Sequence, residues 1–229
     1  MILRPFFIPL AKAIGMLKLG LFFSLIAKPA WACKLALILT MDVSTSIDGG
    51  EYTFQRDGLA DALLDTGVMS VLVNDRVALM VVQWSGANQQ TVAIPWQRMR
   101  SQGDVQAFSN WVRSMRRAFV NSNTAVGNAI SFSIEQFRDA GDCARRVIDV
   151  SGDGASNSGV ETSSQSRRAA RQGIEINGVA IDIMGNAVSE YYRRYVATPG
   201  GFVMTATGFS DYPRTIRAKL LRELVRPGS

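Results

Sequence analysis

Apolar residues along this chain follow two rhythms that take turns. The run over 34–41 is almost unbroken and ends in polar residues, the pattern of a strand covered on both faces. Asp48-Gly49-Gly50-Glu51 then has the spacing of a capping box, and Phe54, Leu59, Leu63 and Leu64 recur behind it at approximately helical spacing. Runs over 76–84 and 91–96 read as two strands around a Ser-Gly-Ala-Asn turn, followed by a helix over 104–119. Helices over 125–140 and 161–172 then alternate with strands over 145–150 and 174–182. A helix at 189–196, a last strand at 202–207 and an amphipathic helix at 212–225 complete the pattern. Such alternation predicts an α/β fold: one doubly wound, mostly parallel, Rossmann-like central sheet with helices on both faces, spanning 33–229 as a single domain. In that architecture ligands sit beyond the carboxyl ends of the central strands.

The first 32 residues have a different character. An apolar run over 19–27 follows lysines and precedes Pro29, and Ala30-Trp31-Ala32 has the small-x-small form of a signal peptidase site. This predicts a secretory signal peptide over 1–32, cleaved after Ala32, with Met16 a candidate for the true start. The mature chain is then periplasmic or secreted, and bacterial in type. Two readings compete, an uncleaved membrane anchor, for which Lys18 and Lys28 bracket too few residues, and a buried core helix; lipid attachment at Cys33, whose upstream residues fit poorly, is a minor alternative. No stable membrane span is expected in the mature chain. Cys33 and Cys143 each precede a predicted strand, so parallel neighbouring strands would bring their sulfurs together at one sheet edge as a disulfide. Two separate buried thiols is the alternative.

Composition narrows the chemistry. The chain has 229 residues, 47% hydrophobic and 19% charged, which is ordinary globular usage. It contains no histidine, which removes Ser-His-Asp and Cys-His nucleophiles and histidine-bound zinc. The formal charge is +6, but Arg4, Lys12, Lys18 and Lys28 fall in the first 32 residues, leaving 21 basic residues against 19 acidic ones. That dispersed excess is too small for a phosphate-binding surface, so nucleic acid is excluded as a partner.

Three segments carry candidate chemistry. Asp42-Val43-Ser44-Thr45-Ser46 lies at the end of the first strand, where alternate residues share a direction, so a carboxylate and two hydroxyls can converge. Oxygen donors of this kind suit a hard cation such as Mg²⁺. Asn123-Thr124-Ala125-Val126-Gly127-Asn128 opens a helix, and Ser151-Gly152-Asp153-Gly154 follows an apolar strand. Each has a plain structural reading beside the functional one: Asp42 or Thr124 as a helix cap, the serines bonding loop backbone, the glycines making a tight turn.

Taken in this order at predicted loop edges, the three segments resemble the metal-ion-dependent adhesion site of the von Willebrand factor A domain, over nearly the whole mature chain. The resemblance implies that Ser44, Ser46 and Thr124 ligate an ion directly or through water, while Asp42 and Asp153 hold it largely through water. The implied ion is Mg²⁺, with Mn²⁺ or Ca²⁺ as substitutes. Gly152 stands where that family more often has Ser or Thr, and Ser122 where a glycine often precedes the threonine. Asp182 is taken as a supporting group around the ligands, and Asp149 as a paired structural acid. Arg113, Arg116 and Arg117, and Arg214, Arg217, Lys219 and Arg222, are expected on solvated helix faces. Trp84, Trp96 and Trp111 are expected in the core or at interfaces.

The implied function is an exported, cation-dependent protein-binding module of adhesion type, with no catalytic residues, whose ion is completed by an Asp or Glu of a partner. The alternative is a Mg²⁺-dependent phosphohydrolase, since an acid at the end of a first strand also begins Asp-x-Asp-x-Thr. Here Ser44 takes the place of the second acid. A von Willebrand-like subunit of a cytoplasmic motor complex is opposed by the export signal.

Overall fold

The computed structural model describes residues 1–2, 33–183 and 185–225. The expected signal segment falls on residues 3–32 and, with its cleavage point and Met16, lies outside the described residues. Six strands form one sheet in the order β3-β2-β1-β4-β5-β6, with β1 Leu35–Asp42, β2 Ala78–Trp84, β3 Gln90–Arg98, β4 Arg145–Gly152, β5 Ile174–Ile181 and β6 Val203–Ala206. Only β3 runs antiparallel, beside β2. The helices are α1 Gly49–Leu64, α2 Thr66–Asn74, α3 Gln102–Ser114, α4 Val126–Gln136, α5 Thr162–Arg171, α6 Ala187–Tyr191 and α7 Tyr212–Val225. Among the described residues no helix is long and apolar enough to cross a membrane.

Side-chain alternation in β1 decides which layer each residue joins. Leu35, Leu37, Leu39 and Met41 pack with residues of α1, α2, α3 and α7, while Ala36 and Ile38 pack with α4, α5 and the segment after α6. All eight β1 residues are buried, which explains why this strand reads as a continuous apolar run. Cys33 and Cys143 form a disulfide two residues before the β1–β4 ladder begins, beside the bonds Ala144 N–H to Cys33 O and Arg145 N–H to Lys34 O.

Three expectations need correction. The α1 stripe runs through Tyr52, Gln55, Leu59 and Leu63, so Phe54 is exposed and Gln55 takes the buried place. The helix expected over 104–119 stops at Ser114, because Met115 turns to extended backbone with ψ 136°. Lys219 is not solvated at all. On α7 the inward stripe is Tyr212, Thr215, Ile216, Lys219, Leu220, Glu223 and Leu224, which carries Lys219 and Glu223 to the sheet. There Lys219 Nζ lies 2.5 Å from Asp149 Oδ2 and 2.6 Å from Glu223 Oε2. Asn177 Nδ2 donates to Glu223 Oε1 at 2.8 Å, and Asn177 Oδ1 accepts from Phe202 N–H at 2.7 Å, tying β5, β6 and α7 to one polar knot. Trp84 is fully buried, whereas Trp111 is 47% exposed.

Two carboxylates share one ammonium in this knot. Burial pushes Asp149 up to about 6, with Lys219 opposing the shift and Glu223 adding to it. Its ordinary value is 3.8, so over the interval to about 6 the native state keeps a proton that the unfolded chain has released. The stability this proton contributes is complete below that interval and is lost as pH climbs through it. Urea denaturation of wild type and Asp149→Asn across pH 4 to 7 is therefore expected to show wild type losing ground to the variant as pH rises. Lys219→Met leaves two buried acids without a counter-charge and is expected to cost about 3–5 kcal/mol near neutral pH by the same measurement.

Candidate metal centre

The strand order reverses between β1 and β4: the chain leaves β1 toward β2 on one side and β4 toward β5 on the other. Loops leaving such a junction diverge and open a crevice. Asp42 is the last residue of β1, Asp153 follows the last residue of β4, and Thr124 lies just before α4. The structure brings all three segments to this crevice.

The contacts form a chain of oxygens. Asp42 Oδ1 accepts from the Ser44 amide at 2.7 Å. Thr124 Oγ1 donates to Ser44 Oγ at 3.2 Å, Ser44 Oγ lies 3.3 Å from Ser46 Oγ, and Ser46 Oγ donates to Asp153 Oδ1 at 2.8 Å. Burial is graded along the chain. Asp42 and Ser44 are fully buried and Thr124 nearly so, Asp153 is half-buried and Ser46 is exposed. The cluster thus has a closed floor at Asp42 and an open mouth at Ser46 and Asp153.

The plain structural readings of these residues do not hold. The cap of α1 is Asp48, in a capping box with Glu51, and the cap position of α4 is Ala125, which makes no side-chain bond. Asp42 and Thr124 therefore have no capping duty. The serine hydroxyls meet other side chains, as the distances above show, and serve no loop amide.

Residues outside the three motifs hold the loops in place. Gln55 Nε2 donates to Asp42 O at 3.3 Å. Arg117 Nη2 donates to Val43 O at 3.0 Å and Ser44 O at 2.8 Å, so it grips the first loop and is not a solvated helix residue. Its reach follows from the early end of α3. Thr45 binds Ser122 O through both its amide at 3.0 Å and its hydroxyl at 2.8 Å. Asn157 Oδ1 accepts from Thr124 N–H at 2.9 Å while Asn157 N–H donates to Thr124 O at 2.9 Å, bracketing the threonine. Gly127 lets this third loop approach: a Cβ there would lie 2.1 Å from Val160 O. Sequence patterns gave no sign of Gln55, Arg117 or Asn157, because each acts through backbone groups of a distant loop.

Asp182 bonds to the residues that follow β5 and not to the side chains of the cluster. Its oxygens accept from Val188 N–H and Ser189 N–H, each at 3.0 Å, and from the Ser189 hydroxyl at 2.5 Å. It fastens the start of α6.

Electrostatics distinguish the two acids of the cluster from surface carboxylates. Burial pushes Asp42 up to about 7, against the pull of the Ser44 hydroxyl and amide. Burial also raises Asp153, against its bond from Ser46. Asp42 Oδ2 is buried with no hydrogen-bond partner. A buried carboxylate oxygen without a donor is costly, and a cation relieves that cost. The described residues hold no cluster of three or more His, Cys, Asp or Glu that could bind a metal. The donor set here is two carboxylates and three hydroxyls, all oxygen, which fits a hard divalent cation better than one preferring nitrogen or sulfur.

A family model described as "Protein of unknown function (DUF1194)" matches residues 32–228. No curated protein matches this sequence significantly. Among solved structures, proximal thread matrix protein 1 of the mussel byssus, with a zinc-occupied MIDAS motif, superposes with a TM-score of 0.61 at 17% identity over 85% of this chain and 48% of its own. The pilus adhesin SpaC of Lactobacillus rhamnosus GG in its open conformation gives 0.63 at 11% identity over 84% and 30%. A von Willebrand factor type A protein from Catenulispora acidiphila gives 0.57 at 16% identity over 84% and 43%. The chain spans less than half the length of these three proteins, and at such identities the likeness establishes the fold alone.

The packing at Gly127 generates a prediction. Gly127→Ala must displace the loop that carries Val160 and Asn157, with an expected loss of about 1–3 kcal/mol in urea denaturation. A variant as stable as wild type would show that the loop is free to move.

Proposed function

We propose, for a chain that belongs to the DUF1194 family of unknown function and has the von Willebrand factor A fold, an exported, divalent-cation-dependent protein-binding module of adhesion type. The ion is held by Asp42, Ser44, Ser46, Thr124 and Asp153. The observation that carries this reading is the buried, unpartnered Asp42 Oδ2 at the floor of an otherwise all-oxygen cluster. When bound, the ion supplies a point of positive charge that attracts an anionic oxygen. The chain's own part is to place that charge: Asp42 would hold it from the buried side, the hydroxyls of Ser44, Ser46 and Thr124 would add no negative charge to it, and the open mouth at Ser46 would admit a partner's Asp or Glu.

The surroundings of the mouth support a protein partner. Val120, Val160 and Ile183 are exposed, and each lies in a loop at this same edge of the sheet. Exposed aliphatic side chains on the edge that carries a charged centre suit a carboxylate borne on a folded surface. Mg²⁺ suits the donor set, with Mn²⁺ or Ca²⁺ as substitutes. The sequence pattern over 1–32 supports export to the periplasm or beyond, and the Cys33–Cys143 disulfide fits an oxidising compartment. Hydrolysis is disfavoured: the position of a second catalytic acid is Ser44, whose hydroxyl faces Thr124 and Ser46.

Two measurements test this reading. Saturating Mg²⁺ is expected to raise the melting temperature of wild type, by the equivalent of about 2.7 kcal/mol at a hundredfold excess over Kd, and to leave Asp42→Ala unmoved. No ion-dependent shift in wild type with Mg²⁺, Mn²⁺ or Ca²⁺ overturns the ion site. Affinity capture from an envelope extract is expected to retain a partner in Mg²⁺ and release it in chelator, with Asp42→Ala retaining none. Capture indifferent to both would place binding elsewhere on the surface.

A further inference from the structure

Tyr192 stands beside the cluster with no part in it so far. It opens the single wide turn Tyr192–Val196 that follows α6, where Ala197 N–H bonds back to Tyr192 O at 2.9 Å. Its side chain is fully buried on the sheet face shared with α4 and α5. Two glycines clear its path. A Cβ on Gly178 of β5 would lie 2.9 Å from Tyr192 Cδ2, and a Cβ on Gly152 of β4 would lie 2.6 Å from the Tyr192 hydroxyl. The ring therefore crosses β5 and ends over β4, with its oxygen where a side chain at position 152 would start.

That same point above Gly152 is 2.9 Å from Asp42 Oδ2. Two polar atoms thus border one small space, and both are buried without a hydrogen-bond partner. A buried hydroxyl with no partner is disfavoured in a folded core, so its retention wants a reason. Asp42 is the leading charge acting on Tyr192, after burial itself.

We infer that Tyr192 is a positioning residue for Asp42: its phenol supplies the hydrogen bond that Oδ2 lacks, across the space left by Gly152. With 2.6 Å and 2.9 Å to that shared point, the two oxygens are no more than 5.5 Å apart, a gap that one bridging water closes. The carboxylate is then held on both oxygens, by the Ser44 amide on Oδ1 and by Tyr192 on Oδ2, and keeps one orientation toward the ion. Asp182 acts in the same direction one step further out, since it fastens the start of α6 that leads into Tyr192. This inference rests on the ion-binding reading above and adds a residue that none of the three loop motifs contains.

The test is Tyr192→Phe, which keeps the ring and removes only the hydroxyl, with Tyr212→Phe as control. Tyr212 is also buried, but its hydroxyl meets Ser151 Oγ at 3.3 Å and not the cluster. Calorimetric titration with Mg²⁺ is expected to show on the order of tenfold weaker binding for Tyr192→Phe and unchanged affinity for Tyr212→Phe. In chelator Tyr192→Phe is expected to melt only slightly below the wild-type temperature, because one neutral donor to Asp42 Oδ2 has gone, and the deficit is expected to widen when Mg²⁺ is added. Wild-type affinity in Tyr192→Phe, or equal lowering of its melting temperature with and without the ion, makes Tyr192 a packing residue and overturns the inference alone. A wild-type protein that binds none of Mg²⁺, Mn²⁺ and Ca²⁺ overturns the ion site and this inference together.

Discussion

A carboxylate kept out of water at the junction of two diverging loops is the constraint around which this protein is organised. Asp42 ends a strand buried on both faces, so its charge is pressed into a medium that disfavours it. The chain surrounds it with partial answers: an amide and a hydroxyl from Ser44, a more distant guanidinium at Arg117, a glutamine on its own carbonyl. None of them is a full opposite charge in contact. The resulting imbalance is what an external cation would correct, and it gives the cluster a direction, from a fixed floor to an accessible mouth.

Comparison with Asp149 makes the point sharper. Both acids are buried on neighbouring central strands, one facing each helical layer. Asp149 meets an ammonium from α7 at 2.5 Å, and that contact is supported in turn by Glu223 and Asn177. The chain supplies a lysine to one buried carboxylate and withholds it from the other. The first arrangement locks the last helix to the sheet, and the second leaves an affinity directed outward. Two residues of the same type on adjacent strands are thus a brace and a socket, distinguished only by what lies opposite.

The sequence revealed most clearly what is local. The apolar run of β1, the Asp48–Glu51 cap and the succession of six strands are properties of short stretches, and they appear in the fold as read, whereas the short helix α2 behind Asp65 was missed. Three short motifs at strand or helix ends also reach one crevice, because parallel strands place their carboxyl ends together. What depends on a distant partner was hidden. Lys219 looks solvated until Asp149 is seen across from it, although its place on the inward stripe of α7 was a usable signal. Arg117 was concealed by a helix that stops five residues earlier than its pattern suggests. Asp182 looked like part of the cluster because it ends a strand at the same edge, but it serves a helix start. Tyr192 carries no motif, and its placement depends on two glycines in two other elements.

The disulfide bears on how the cluster keeps its shape. It joins residues 110 apart in sequence, and it does so at the amino ends of the same two strands whose carboxyl ends bear Asp42 and Asp153. The bridge joins the strands in the same register as the β1–β4 ladder, where Leu35 lies opposite Arg145. So joined, the two strands cannot slip past one another, and the spacing of the acids at the far end is inherited from a covalent bolt at the near end. A slip of β4 by one residue would carry its sulfur about 3.3 Å along the sheet and out of bonding reach of the other, so the bridge and the strand register select each other.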